Sequence, residues 1–169
     1  MTPKNYTSPL FQLLGIKYVI AMTPIDNPKL KKMLEEGETR VYRNVDFSPR
    51  AYLAETIFVK KTKQDIMNGL YGKDFIPGIT AIVETELPVV SRPLISSESA
   101  TITTYTPDKI TLNVMTTNSR LVVMGNMFDP GWKVRIDGQR TDTYRVNYLF
   151  FGVIVPKGEH KIDIIYLPI

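Results

Sequence analysis

The stretch Asn126-Met127-Phe128-Asp129-Pro130-Gly131-Trp132-Lys133-Val134-Arg135-Ile136-Asp137-Gly138 limits the fold more than any other part of the chain. Trp132, Val134 and Ile136 alternate with Lys133, Arg135 and Asp137, the period of two that gives a strand one dry and one wet face. Trp132 is the only tryptophan. Burying such a ring removes roughly 150–250 Å² from water, on the order of 4–6 kcal/mol and comparable to a domain's net stability. Phe128 and Trp132 are therefore expected to anchor a core. Asp129-Pro130-Gly131 reads as a turn into this strand, and Asp137-Gly138 as a two-residue hairpin that returns the chain over residues 140–144.

The flanking sequence repeats the pattern. Residues 148–155 are almost continuously apolar, Pro156-Lys157-Gly158 is a turn, and residues 160–167 alternate Ile162, Ile164 and Tyr166 with Lys161, Asp163 and Ile165. Upstream, residues 100–105, 109–115 and 120–126 are separated by Thr106-Pro107-Asp108 and Thr117-Asn118-Ser119. Seven short strands spaced by about 8–12 residues predict an antiparallel β-sandwich over residues 96–169.

Residues 1–95 read as an α/β subdomain with two short helices. Residues 1–9 form a polar arm in which Asn5-Tyr6-Thr7 matches the glycosylation acceptor pattern, a pattern common by chance. A short helix over residues 10–14 closes at Gly15 and leads into a strand over residues 17–22. Asn27-Pro28 then predicts a helix through Glu36, ending at Gly37. Its lysines come first and its glutamates last, against the macrodipole, so docking of Leu30, Met33 and Leu34 has to hold it. Strands are expected over residues 40–44, 51–59 and 80–86. Thr62 and Asp65 resemble a capping box for a helix through Leu70. The run Pro88, Ser91, Pro93, Ser96, Ser97, Ser99 is the one shift in composition and sets the expected boundary between subdomains. The fold class is mainly β, α+β overall.

The 169 residues, 43% hydrophobic and 22% charged, describe an ordinary globular chain. A net charge of +4 is spread diffusely, without the interleaved aromatic residues that single-stranded nucleic acid requires, so no nucleic-acid partner is expected. Absence of cysteine removes thiol chemistry and Cys-based zinc sites. His160, the only histidine, follows a turn and is assigned a turn-stabilising hydrogen bond rather than catalysis. Calcium loops, nucleophile elbows, dinucleotide fingerprints and phosphate loops are missing. No catalytic residue, metal or cofactor is expected.

Binding is a different matter. Asp129, Arg135, Tyr144, Arg145, Asn147 and Tyr148 combine hydrogen-bonding groups with aromatic faces, a composition suited to sugars if they meet at one end of the sandwich. The competing reading has the aromatic residues filling the core while Arg145 and Asn147 stabilise turns, which is the norm in sandwiches.

Several motifs taken together carry a resemblance. Pro130-Gly131-Trp132-Lys133 with Asp137-Gly138, then Tyr144-Arg145-Val146-Asn147-Tyr148-Leu149-Phe150, Val155-Pro156-Lys157-Gly158-Glu159-His160 and Tyr166-Leu167-Pro168 resemble the C-terminal extracytoplasmic region of YfhO-type bacterial membrane proteins. Leu14-Gly15-Ile16-Lys17-Tyr18-Val19-Ile20, Val41-Tyr42-Arg43-Asn44 and Pro49-Arg50-Ala51-Tyr52 extend it over nearly the whole chain. The resemblance implies a parent chain with a multi-helix membrane portion of the GT-C glycosyltransferase type, moving a sugar from a polyprenyl-phosphate carrier to an envelope polymer. The catalytic acidic residue of such enzymes lies in that membrane portion, so none is carried over here. Also implied are a location outside the cytoplasmic membrane, the membrane-embedded portion of the parent chain as partner, an accessory role, and an envelope polysaccharide as ligand. A structural or protein-interaction domain with no ligand is the alternative. The end at Tyr166-Leu167-Pro168-Ile169, directly after a strand, is expected of a piece cut from a longer protein.

Overall fold

The computed structural model describes residue 6 and residues 8–168. Asn5 and Thr7 of the acceptor pattern, with most of the expected N-terminal arm, lie outside the described residues. The chain is mostly β: among the described residues it forms fourteen strands in three sheets, with two short helices. It divides into two compact units, Met1–Arg50 and Ala51–Ile169.

The first unit opens with helix α1 (Pro9–Leu13), whose cap Ser8 accepts a hydrogen bond at Oγ from the Leu10 amide at 3.2 Å. Gly15, at φ +63°, turns the chain into β1 (Tyr18–Ala21). The helix expected over residues 27–36 is instead β2 (Leu30–Glu36), joined by a tight turn at Gly37 to β3 (Thr39–Asn44) in a three-stranded antiparallel sheet ordered β1-β3-β2. Asn27 caps a turn, accepting the Lys29 amide at Oδ1 (2.9 Å), and no helix follows. The charges explain the outcome. A helix would set Lys31 and Lys32 against its positive end, whereas the strand puts Glu35 opposite Arg40, with their charged atoms 2.7 Å apart.

The second unit is the sandwich. One sheet has six strands, in the order β4-β9-β13-β12-β6-β5, from β4 (Ala51–Leu53), β5 (Thr56–Val59), β6 (Thr80–Val83), β9 (Arg120–Met127), β12 (Tyr144–Val146) and β13 (Phe150–Val155). The other has five, β11-β10-β14-β8-β7, from β7 (Ser99–Tyr105), β8 (Lys109–Thr116), β10 (Trp132–Ile136), β11 (Gln139–Thr141) and β14 (Gly158–Tyr166). Ile110, Leu112, Val134, Ile162 and Ile164 of the five-stranded sheet pack with Leu53, Val122, Met124, Phe151, Val153 and Val155 of the other in one core. Asp137 and Gly138 take φ of +50° and +83°, the pair of positive values a two-residue β10–β11 hairpin requires.

The six-stranded sheet is covered on its far face as well. Tyr52, Ala81, Leu121, Val123 and Val146 form a second core there, and helix α2 (Lys63–Leu70) connects the parallel strands β5 and β6. Thr62 caps this helix as expected, its Oγ1 accepting the Asp65 amide at 3.1 Å. Burial on both faces accounts for the unbroken apolar run Leu121-Val122-Val123-Met124.

Two expectations are corrected here. Residues 51–59 form two strands on opposite edges of the six-stranded sheet, because the chain breaks at Ala54-Glu55. The units also divide at Arg50/Ala51 and not near residue 95: β4, β5, β6 and α2, assigned from sequence to an α/β subdomain over residues 1–95, are built into the sandwich unit. The Pro- and Ser-rich run is fastened rather than loose. Arg120, 2% exposed, donates from Nη1 to the Arg92 carbonyl (2.6 Å) and from Nη2 to that of Pro93 (2.9 Å), and pairs through Nε and Nη2 with Glu98. Glu98 also accepts the Thr117 amide and hydroxyl, each at 3.0 Å.

Candidate functional site

Between β11 and β12 the chain leaves the five-stranded sheet and enters the six-stranded one across Asp142-Thr143. Where strands part in this way the core's inward side chains are no longer fully covered. Here they leave a shallow groove of about 490 Å³ lined by Phe128, Trp132, Arg140, Asp142, Thr143 and Tyr144 among others. Trp132 serves both sides. Its ring packs edge-on to Tyr166 (centroids 5.0 Å apart) and tilted against Phe151 (6.3 Å), as expected of a core anchor, yet it stays partly exposed and walls the groove.

Its position is fixed by the turn before it. Asp129 accepts the Gly131 amide at Oδ1 (2.7 Å), and its carbonyl accepts the Trp132 amide (3.1 Å). Gly131 is packed so tightly that a Cβ there would lie 2.6 Å from the Tyr166 ring and 2.9 Å from the Asp129 carboxylate.

The six residues selected from sequence do not converge. Tyr144 lines the groove. Arg145 is adjacent: its guanidinium lies 5.0 Å from the centre of the Phe128 ring and 3.8 Å from Glu84. Asp129 holds the turn beneath Trp132. Arg135 points to the outer face of the five-stranded sheet, beside Lys133 and Arg140. Asn147, 1% exposed, belongs to the framework: its Oδ1 accepts the Ile82 amide (2.8 Å) and its Nδ2 donates to the Tyr52 hydroxyl (3.0 Å), which in turn donates to the Thr80 carbonyl (2.9 Å). Burial pushes the Tyr52 phenol well above its ordinary range. Asn147 and Tyr148 both take positive φ, +50° and +70°, at the bend into β13.

Arg140, Asp142 and Thr143 were not selected from sequence. The only signal available was a polar run, Arg140-Thr141-Asp142-Thr143, too irregular for the continuous strand expected over residues 140–144.

His160 lies elsewhere, at the β14 end of the other sheet. Its Nδ1 is 2.7 Å from Asp137 Oδ2 and its Nε2 3.3 Å from the Lys157 carbonyl, the turn-stabilising role expected. The Asp137 hydrogen bond raises the His160 pKa, and the same bond lowers that of Asp137.

Among the described residues, no helix is long and apolar enough to cross a membrane. No curated protein and no solved structure matches the chain. A family model described as bacterial membrane protein YfhO matches residues 91–169, starting at the run that Arg120 fastens and extending through both sheets. Over residues 91–169, then, the chain is similar to the YfhO-type bacterial membrane proteins.

Proposed function

We propose that the chain is a non-catalytic, extracytoplasmic accessory domain of a membrane glycosyltransferase-like protein, and that it holds a cell-envelope glycan in the groove at the sheet crossing. The observation that carries this reading is the lining itself. Phe128, Trp132 and Tyr144 offer aromatic surface to the C–H face of a pyranose, and Arg140, Asp142 and Thr143 offer donors and acceptors to its hydroxyls. The YfhO match over residues 91–169 supports the membrane-protein context. In this reading the groove positions an acceptor polymer beside the membrane-embedded portion of the parent chain, which performs the chemistry.

The test is titration of the chain with envelope oligosaccharides followed by calorimetry. Saturable binding is expected, weakened about five- to tenfold by Tyr144→Ala, since loss of one aromatic stacking contact is worth ~1 kcal/mol or somewhat more. Asp142→Asn should weaken it as well, while Tyr148→Ala should do little. Silence across a broad panel would remove the glycan claim.

A second reading, a protein-interaction domain without a ligand, is favoured by one observation in the first unit. Tyr18, Ile20 and Leu34 share a face of the three-stranded sheet and are 54%, 72% and 56% exposed. That reading predicts a silent glycan panel, with Ile20→Glu abolishing association with the membrane-embedded portion of the parent chain.

A further inference from the structure

The outer face of the five-stranded sheet concentrates charge that the sequence spreads out. A shallow depression there is lined by Lys109, Lys133, Arg135, Arg140 and Lys161, with Asp163 the one carboxylate in its lining. The strand register orders these side chains in rows. Lys133, Ile165 and Lys109 stand abreast on β10, β14 and β8, and beside them run Arg140, Arg135 and Asp163 on β11, β10 and β14. Asp163 is already engaged, accepting the Thr111 hydroxyl (3.0 Å) and lying 3.4 Å from Lys161 Nζ. Arg135 sits directly opposite Arg140, a like-charge pairing that destabilises a bare sheet. Such an arrangement is relieved when an anion covers it.

The apolar residues of the same face indicate which anion. Ile165, flanked by two lysines, is 36% exposed, and Leu167 at the same end is 55% exposed. Cations surrounding exposed aliphatic side chains on an open sheet match a headgroup layer, where the charges meet phosphate and the aliphatic tips enter the acyl boundary. A soluble polyanion would leave Ile165 and Leu167 without a role.

We propose that this face docks on an anionic phospholipid surface, setting the five-stranded sheet against the bilayer. The proposal does not rest on the glycan groove, and Lys109, Arg135 and Lys161 do not line that groove.

The test is co-sedimentation of the whole chain with vesicles of phosphatidylglycerol and phosphatidylcholine in equal parts, against vesicles of phosphatidylcholine alone. Binding to the anionic vesicles only is expected, falling steeply with added salt. A Lys109→Gln, Arg135→Gln, Lys161→Gln variant should bind about a hundredfold more weakly, about fivefold for each cation, with its circular dichroism unchanged. Leu167→Gln should weaken vesicle binding several-fold and leave binding to inorganic polyphosphate unaltered. Equal binding to both vesicle types, no binding to either, salt-independent binding by the unaltered chain, or a Leu167→Gln variant that binds vesicles normally would each overturn the proposal.

Discussion

Trp132 and Asn147 show how one side chain's chemistry decides its place. An indole has enough apolar surface to anchor a core and a rim that tolerates water, so Trp132 packs on Phe151 and Tyr166 while leaving an edge in the groove. Trp132→Ala is expected to cost about 3–5 kcal/mol, read as a lowered midpoint in urea unfolding. Asn147 looks equally suited to a ligand in sequence, but its amide is consumed by Ile82 and Tyr52 across the sheet. Asn147→Ala leaves the buried Ile82 amide unsatisfied and puts a non-glycine, non-asparagine side chain at φ +50°, so a loss of about 2–4 kcal/mol is expected without any direct effect on ligand. Sequence could nominate the residue types, since turn and aromatic chemistry is local. It could not tell Asn147 from Asp142, because which of them faces solvent depends on strands far away in the chain.

Among the elements, β2 and the segment from Arg92 to Glu98 depart furthest from their local reading. Helix signals at Asn27-Pro28 were real, but a helix with reversed end charges competes poorly with a hairpin that aligns Glu35 and Arg40. Proline and serine around residue 93 suit a linker, yet a buried arginine ties that run to β9. Hydrogen bonds from Arg120 hold the Glu98 carboxyl at about 2, against an ordinary value of 4.5. A carboxyl with a depressed folded value adds stability that is complete above its unfolded pKa and is lost as pH falls through the folded one. Stability should therefore drop between about pH 4.5 and pH 2, and Glu98→Gln should flatten that segment of the profile. By leaving Arg120 buried and unpaired, Glu98→Gln is also expected to cost about 3–5 kcal/mol at neutral pH. His160 works in the opposite sense. Its pKa is raised from 6.5 by Asp137, so its contribution is complete below about 6.5 and fades as pH rises through the folded value, a slope that His160→Gln should remove from urea midpoints.

For the molecule as a whole, the position of the division is the informative result. Residues 51–169 contain both cores of the sandwich, since β4, β5 and β6 complete the six-stranded sheet and Leu87 and Val89 pack on the core of its far face. Residues 51–169 produced alone are expected to unfold in one cooperative thermal transition. A chain starting at residue 96 would lack the strand paired with β9 and the cover over Leu121 and Val123, and is expected to melt without cooperativity in circular dichroism.

The alternation at Trp132-Lys133-Val134-Arg135-Ile136, the Asp137-Gly138 hairpin, the Thr62 cap and the strand succession after residue 99 followed from the sequence by itself, because each rests on contacts or torsions within a few residues. Only the tertiary structure decided that β2 is a strand, that β5 and β6 pair in parallel around α2, that the Pro- and Ser-rich run is bolted down, and that five scattered cations share one face. Those outcomes depend on partners dozens of residues away, and a partner's position is set by the packing of the whole chain, which no local pattern encodes.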